Sequence, residues 1–301
     1  MTLQLGDQAS GTLDGMAQII VGMDESDGAA AALRWALHES EIRGWPVRAV
    51  LAWSLLDQQQ LDGSDTFDPD YNQRFAIQAL SAAVERAVGP DAAASVDLQA
   101  VNDLPADALV EQSTNADLLV VGARGLGGFK SLLLGSVSNH CVQRASCPVV
   151  VVHTSAESPG HRPERIVVGI DCSEGGDVVL HWALDTARAH DATVEVVHAW
   201  QPVLLGGALS PVVIDLTPLE DAARHALDAI VDAADTHDVT VERTLVASGA
   251  AGAILDAATN ADLVVVGTRG RGGVKSLLLG SVSQQVTHHA ACPVVVVPPT
   301  G

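Results

Sequence analysis

Residues 122–152 read GARGLGGFKSLLLGSVSNHCVQRASCPVVVV, and residues 267–297 read GTRGRGGVKSLLLGSVSQQVTHHAACPVVVV. The two segments align without a gap at an offset of 145, with 21 of 31 positions identical. Each follows an apolar run, LLVV or LVVV, and each closes on four valines. An apolar run, a glycine-rich turn, a Gly-Ser-Val-Ser helix start and a second apolar run spell strand, loop, helix, strand. The repetition extends upstream. IIVGMDES at 19–26 matches IVVGIDCS at 166–173, VLAW at 50–53 matches VHAW at 197–200, and NADLLVVG at 115–122 matches NADLVVVG at 260–267. The offset drifts only from 147 to 145, so the copies differ by a few loop residues. A period this long marks a duplicated domain and not a solenoid.

The copies are separated by SAESPGHRP at 155–163, a polar stretch with two prolines and a glycine. The expected organisation is a first domain over 17–154, a linker over 155–163 and a second domain over 164–298. A chain of 301 residues suits two domains of roughly 150 residues. In the first copy the pattern predicts strands at 18–23, 47–53, 96–101, 117–121 and 148–152, and helices at 29–43, 72–88, 106–114 and 136–144. The second copy follows the same plan. Apolar strands alternating with helices predict a parallel sheet covered on both faces. With right-handed crossovers, each copy is then an α/β, doubly wound, Rossmann-like domain of five parallel strands flanked by helices. Ligands of such sheets sit at the carboxyl ends of strands, where the strand order reverses.

Composition narrows the partners. Hydrophobic residues make up 48% of the chain and aromatics 3%, so the cores must be built from Ala, Val, Leu and Ile. Net charge is −21, from 37 acidic and 16 basic residues, which repels nucleic acid and anionic lipid at long range. No nucleic-acid partner and no membrane association are expected. Apolar runs fall far below the ~20 residues of a membrane span, and residues 1–15 lack a basic and apolar leader, so a cytoplasmic location is expected. Of the four cysteines, Cys147 and Cys292 precede Pro and a valine run and read as buried thiols; none of Cys141, Cys147, Cys172 and Cys292 forms a CxxC pair.

The residues that carry chemistry are Gly122-x2-Gly125-x9-Gly135-Ser136 and their repeat, Gly267-x2-Gly270-x9-Gly280-Ser281. Glycines at the end of a strand let the backbone turn and approach a ligand closely. Gly135, Ser136, Val137 and Ser138, like Gly280, Ser281, Val282 and Ser283, precede a helix whose free N–H groups suit an anion. Arg124 and Lys130, or Arg269 and Lys275, supply local positive charge. The loop interiors add Gly127 and Gly128, and Arg271, Gly272 and Gly273. Together these parts read as a phosphate cradle. Asp24 and Asp171, each two residues before a serine, serve equally as helix caps or as ligand contacts. Trp35 and Trp182 fall on the first helix of each copy and are expected in the core.

The pattern G-2x-G-9x-G-(S/T), after an apolar strand and before SVS, resembles the ATP-binding subgroup of the universal stress protein family. The resemblance covers both copies and leaves out only the N-terminal tail and the linker. The tandem arrangement is similar to actinobacterial members, and the fold it implies is that of the adenine nucleotide alpha hydrolase-like domains. It implies ATP as ligand, with Asp24 and Asp171 near adenine beside Gly22 and Gly169, and with Ala52 and Ala199 meeting adenine through their backbone. Gly122, Gly125, Gly267 and Gly270 would shape the ribose-phosphate pocket, and the Gly-Ser-Val-Ser segments would hold the phosphates. A divalent cation, Mg²⁺, commonly accompanies the triphosphate. The resemblance also implies pairing of the two copies through their fifth strands, with association of two chains as a homodimer left open.

No Walker A sequence and no nucleophile elbow with a triad is present. The first reading is a nucleotide-binding regulator. A slow ATPase or phosphotransferase using Arg124, Lys130 and a metal is the second, and a chain in which one copy binds while the other is a structural remnant is the third.

Overall fold

The computed structural model describes residues 17–53, 73–126, 134–154, 162–173, 175–201, 215–270 and 279–299. The first copy runs β1 (Ile19–Gly22), α1 (Asp27–Arg43), β2 (Val47–Trp53), α2 (Gln73–Val88), a one-turn α3 (Pro90–Ala93), β3 (Asp97–Asn102), α4 (Pro105–Gln112), β4 (Leu118–Gly122), α5 (Ser136–Arg144) and β5 (Val149–Val152). The second runs β6 (Arg165–Ile170), α6 (Gly176–His190), β7 (Thr193–Ala199), α7 (Thr217–Ala233), β8 (Val241–Val246), α8 (Ala250–Ala257), β9 (Leu263–Gly267), α9 (Ser281–His289) and β10 (Val294–Val297). Sequence patterning finds every strand to within about two residues but misses α3. It also starts α1 two residues late, because Ser26 caps the helix by accepting the Ala29 N–H at 3.1 Å.

Strand order is β3-β2-β1-β4-β5-β10-β9-β6-β7-β8. Within each copy all neighbours are parallel. The copies join where β10 lies antiparallel to β5, with Val294 opposite Val151 and Val296 opposite Val149. The result is one ten-stranded sheet with two related halves. Its valines alternate faces: Val150, Val152, Val295 and Val297 enter one core layer, and Val149, Val151, Val294 and Val296 the other. Every one of these eight is buried, which explains the uninterrupted apolar runs. Trp35 and Trp182 pack at the rim of the first layer, half-buried and not central. Cys141, Cys147 and Cys292 are buried, and desolvation pushes each thiol up to about 12, so they stay protonated.

A polar knot crosses the seam. The Glu39 carboxylate of α1 is 2% exposed, and accepts from Arg43 Nε on its own helix. Its other oxygen lies 2.9 Å from His190 Nε2 of α6. Arg43 also donates to Thr186 Oγ1 of α6 at 3.0 Å. Burial alone would push the Glu39 carboxyl up. The His190 hydrogen bond and the Arg43 charge outweigh it and hold the group below its usual value.

Among the described residues no helix is long and apolar enough to cross a membrane.

Candidate functional site

The strand order reverses between β1 and β4 in the first copy and between β6 and β9 in the second. A doubly wound sheet opens a crevice at such a point, at the strands' carboxyl ends. Gly22 and Gly122 end the first pair, Gly169 and Gly267 lie at or beside the end of the second, and those predicted site residues that are described gather at these two notches.

In the first notch Asp24 organises the loops. Its Oδ1 accepts the Ser26 N–H at 2.9 Å and the Ser26 hydroxyl, and its Oδ2 accepts the Leu126 N–H at 3.1 Å. The helix cap is therefore Ser26, with Asp24 behind it; Asp24 is not itself the cap. Gly125 passes so close to this carboxylate that a Cβ would strike Oδ2. The loop re-enters at Gly135, whose N–H donates to the Ala123 carbonyl at 2.7 Å. Ser138 is buried and donates its hydroxyl to the same carbonyl at 3.0 Å. The first helical bond of α5 runs from Asn139 N to Gly135 O, and Gly135 provides no side-chain cap. The N–H groups of Ser136, Val137 and Ser138 thus lie ahead of the helical ladder, with Ser136 exposed.

The second notch repeats this frame. Asp171 Oδ1 accepts the Ser173 N–H at 3.1 Å and its hydroxyl at 2.6 Å, and Gly270 crowds Asp171 Oδ2. Gly280 N–H donates to the Thr268 carbonyl at 2.7 Å, and Ser283 hydroxyl to the Gly267 carbonyl at 2.5 Å. The hydroxyls of Ser138 and Ser283 are therefore structural braces. The N–H groups of both residues still lie ahead of their helical ladders, beside exposed Ser136 and Ser281. Around the second notch opens a cavity of about 820 Å³. Asp171, Ala199, Gly267, Arg269, Gly270 and the Gly280–Ser283 stretch line it, as do His198 and Ala222 of α7. Arg269, like Arg124, is exposed.

Packing also explains several of the glycines. A Cβ on Gly22 would lie 2.7 Å from Leu109 of α4, and one on Gly169 would strike Ile254 of α8. These two are small so that a helix can close on the strand end. Ala52 and Ala199 stand half-buried near the ends of β2 and β7, beside the notches. Gly127, Gly128, Lys130, Arg271, Gly272, Gly273 and Lys275 lie outside the described residues, as does the linker from 155 to 161. Sequence reading passed over Ser26 as the cap and His198 in the cavity wall. The signal for His198 was there, because VLAW and VHAW differ at that position alone.

Among the described residues no group of three or more His, Cys, Asp or Glu side chains could hold a metal ion. Magnesium carried by a triphosphate needs no such cage, since it keeps several waters and takes its remaining ligands largely from phosphate oxygens.

A family model described as the universal stress protein family matches residues 16–153 and again 163–298. A universal stress protein of Mycobacterium tuberculosis is 32% identical over 290 residues, covering 92% of this chain and 96% of its own length. One of Mycolicibacterium smegmatis is 31% identical over 298 residues, covering 93% and 97%. Among solved structures, a universal stress protein from Archaeoglobus fulgidus superposes with a TM-score of 0.62 at 21% identity, covering 93% of this chain and 98% of that one.

Proposed function

The chain belongs to the universal stress protein family, as a tandem pair of its domains, and from that premise we propose that it is a cytoplasmic ATP-binding regulator with one nucleotide site at each notch. The observation that carries this reading is the second notch. A cavity of about 820 Å³ at a switch point brings together the uncapped start of α9, an exposed arginine and an apolar wall of small side chains. Small-molecule sites span roughly 300–1,000 Å³ and combine mostly apolar walls with a few polar groups. The α9 N-terminus offers N–H groups and the positive end of its dipole to phosphate. On a surface as acidic as this one, such local donors are what a polyanion needs.

Among the described residues Asp24 and Asp171 spend oxygens on backbone N–H groups, which suits them to shaping a pocket better than to activating water. Regulation through occupancy is therefore favoured over hydrolysis. Mg²⁺ would arrive with the triphosphate and neutralise part of its charge.

The test is calorimetry of the intact chain with Mg·ATP, alongside a double variant, Ser136→Glu with Ser281→Glu. Both serines are exposed, so the variant should fold, and each glutamate sets a carboxylate in a cradle. We expect about two ATP per chain for the wild type and at least a hundredfold weaker binding for the variant. Absence of binding by the wild type at millimolar ATP would end the proposal. Steady release of labelled ADP, lost in the same variant, would replace it with the ATPase reading.

A further inference from the structure

We propose that His198 makes the second notch selective for a 6-aminopurine base, a selectivity the first notch lacks. The inference rests on the nucleotide reading above and adds a base-reading residue to it. His198 is the penultimate residue of β7 and is 7% exposed. Its Nδ1 lies 3.0 Å from the backbone carbonyl of Ile170, at the end of β6. A carbonyl only accepts, so the hydrogen is assigned to Nδ1. In the neutral ring Nε2 is then an acceptor with a free lone pair. Among the described residues that atom has no hydrogen-bond partner, yet it is absent from the fully buried polar atoms that lack one. It therefore reaches the surface, and the surface His198 borders is the cavity.

The position is also adjacent in sequence to Ala199, whose backbone is the expected adenine contact. A fixed acceptor at that end of the cavity accepts a hydrogen bond from an exocyclic amino group such as that of adenine. It faces the carbonyl of hypoxanthine or guanine lone pair to lone pair. Sites built around a hydrogen bond to the ligand reject analogues that cannot make it. In the first copy the matching position is Leu51, part of the first core layer, which has no polar atom to offer a base. The β6 carbonyl holds the imidazole in one tautomer, so the discrimination is built into the sheet edge and does not depend on a loop.

Calorimetry with ATP and inosine triphosphate tests this, because the two nucleotides differ only at the C6 substituent and the N1 proton. The protein is the full chain carrying Ser136→Glu, which silences the first notch. We expect ATP to bind about tenfold more tightly than inosine triphosphate, from one hydrogen bond and one avoided clash. His198→Leu should bring the ratio close to one, and His198→Gln, which retains an acceptor, should keep most of it. A structural role alone would weaken both nucleotides alike and leave the ratio unchanged. An unchanged ratio in His198→Leu overturns the inference while the nucleotide reading stands; a chain that binds neither nucleotide overturns both. Should the leucine variant not fold, the ¹⁵N resonance of His198 Nε2 decides. It should shift upfield on adding ATP and not on adding inosine triphosphate, and equal responses to the two would refute the assignment.

Discussion

The first and second notches share their helix-start segment almost letter for letter, and they differ in what stands opposite it. In the first copy α1 begins at Asp27 under a serine cap and drives the Gly28 backbone against the end of β4: a Cβ on Gly122 would sit 2.5 Å from Gly28 C and 2.9 Å from its Cα. In the second copy α6 begins at Gly176, after Gly175 turns through φ 99 with no side-chain cap. There, among the described residues, a Cβ on Gly267 would meet Val179 at 3.1 Å and the Arg269 carbonyl at 3.4 Å, and one on Gly175 would meet no atom within 4 Å. The first copy also ties its β1–α1 loop to α2 through Glu25 and Arg86, 3.1 Å apart, where the second has Cys172 at the position of Glu25. The duplication kept the glycine loop and let its surroundings diverge. One side is packed backbone on backbone, the other left open.

The seam shows the same divergence with larger energies at stake. At the offset of 147, Glu39 corresponds to Thr186 and Arg43 to His190. The two cross-seam contacts, Glu39 with His190 and Arg43 with Thr186, are therefore equivalent by the internal symmetry but unequal in chemistry. Glu39→Ala leaves Arg43 and buried His190 without their shared carboxylate and should cost about 3–5 kcal/mol. Thr186→Val removes one hydrogen bond at the matching place and should cost about 1 kcal/mol. Denaturant titration of both variants checks this, and equal losses would mean that the asymmetry is only apparent. The Glu39 carboxyl sits below its ordinary value of 4.5 in the folded chain, so its stabilisation is fully present above that pH. It fades as pH falls through the depressed folded value. Glu39→Gln, neutral at every pH, should lower the neutral plateau of the stability curve and flatten that acid limb.

The next test works on the notch itself. Gly122→Ala forces a methyl into main-chain atoms that cannot swing away, and overpacking of this kind costs about 1–3 kcal/mol. Gly267→Ala meets the end of a valine side chain at a distance that a small shift relieves, and should cost less than about 1 kcal/mol. The same substitution at equivalent positions of two nearly identical loops thus separates the copies by stability. If the ranking reverses, the closer packing assigned to the first copy is wrong.

How much of this was legible beforehand depends on the range of the interaction. The strands could be read because eight buried valines at the seam leave an unmistakable apolar run, and helix α5 could be placed because Gly-Ser-Val-Ser is a helix start in any context. The glycine spacing located the loops for the same local reason. Contacts between distant parts of the chain were not legible. The Glu39 knot joins residues 151 apart, and nothing at position 39 distinguishes it from any solvent-facing glutamate on a helix. Ser138 sits in the same helix-start segment as its neighbours, and only the carbonyl of Ala123, 15 residues back, shows that its hydroxyl also braces the loop. The contact of Leu109 over Gly22 likewise joins distant parts of the chain, and the local IIVG run does not show it.

The smallest expected difference concerns the starts of α1 and α6. Ser26→Ala removes the side-chain acceptor for the Ala29 N–H and should cost about 1 kcal/mol, the ordinary worth of a helix cap. Gly175→Asn works in the opposite sense, offering a cap where α6 has none, with a residue that tolerates left-handed backbone. Its gain should stay within a few tenths of a kcal/mol, since the added contact is offset by the strain of a side chain at that φ. The two variants also divide Asp24 from Ser26. In Ser26→Ala the carboxylate keeps the N–H groups of residue 26 and of Leu126, both from the main chain, so ATP affinity at the first notch should change by no more than about twofold even as the helix loosens. A tenfold loss of affinity would mean that the serine hydroxyl, and not the loop backbone, aims Asp24 into the notch.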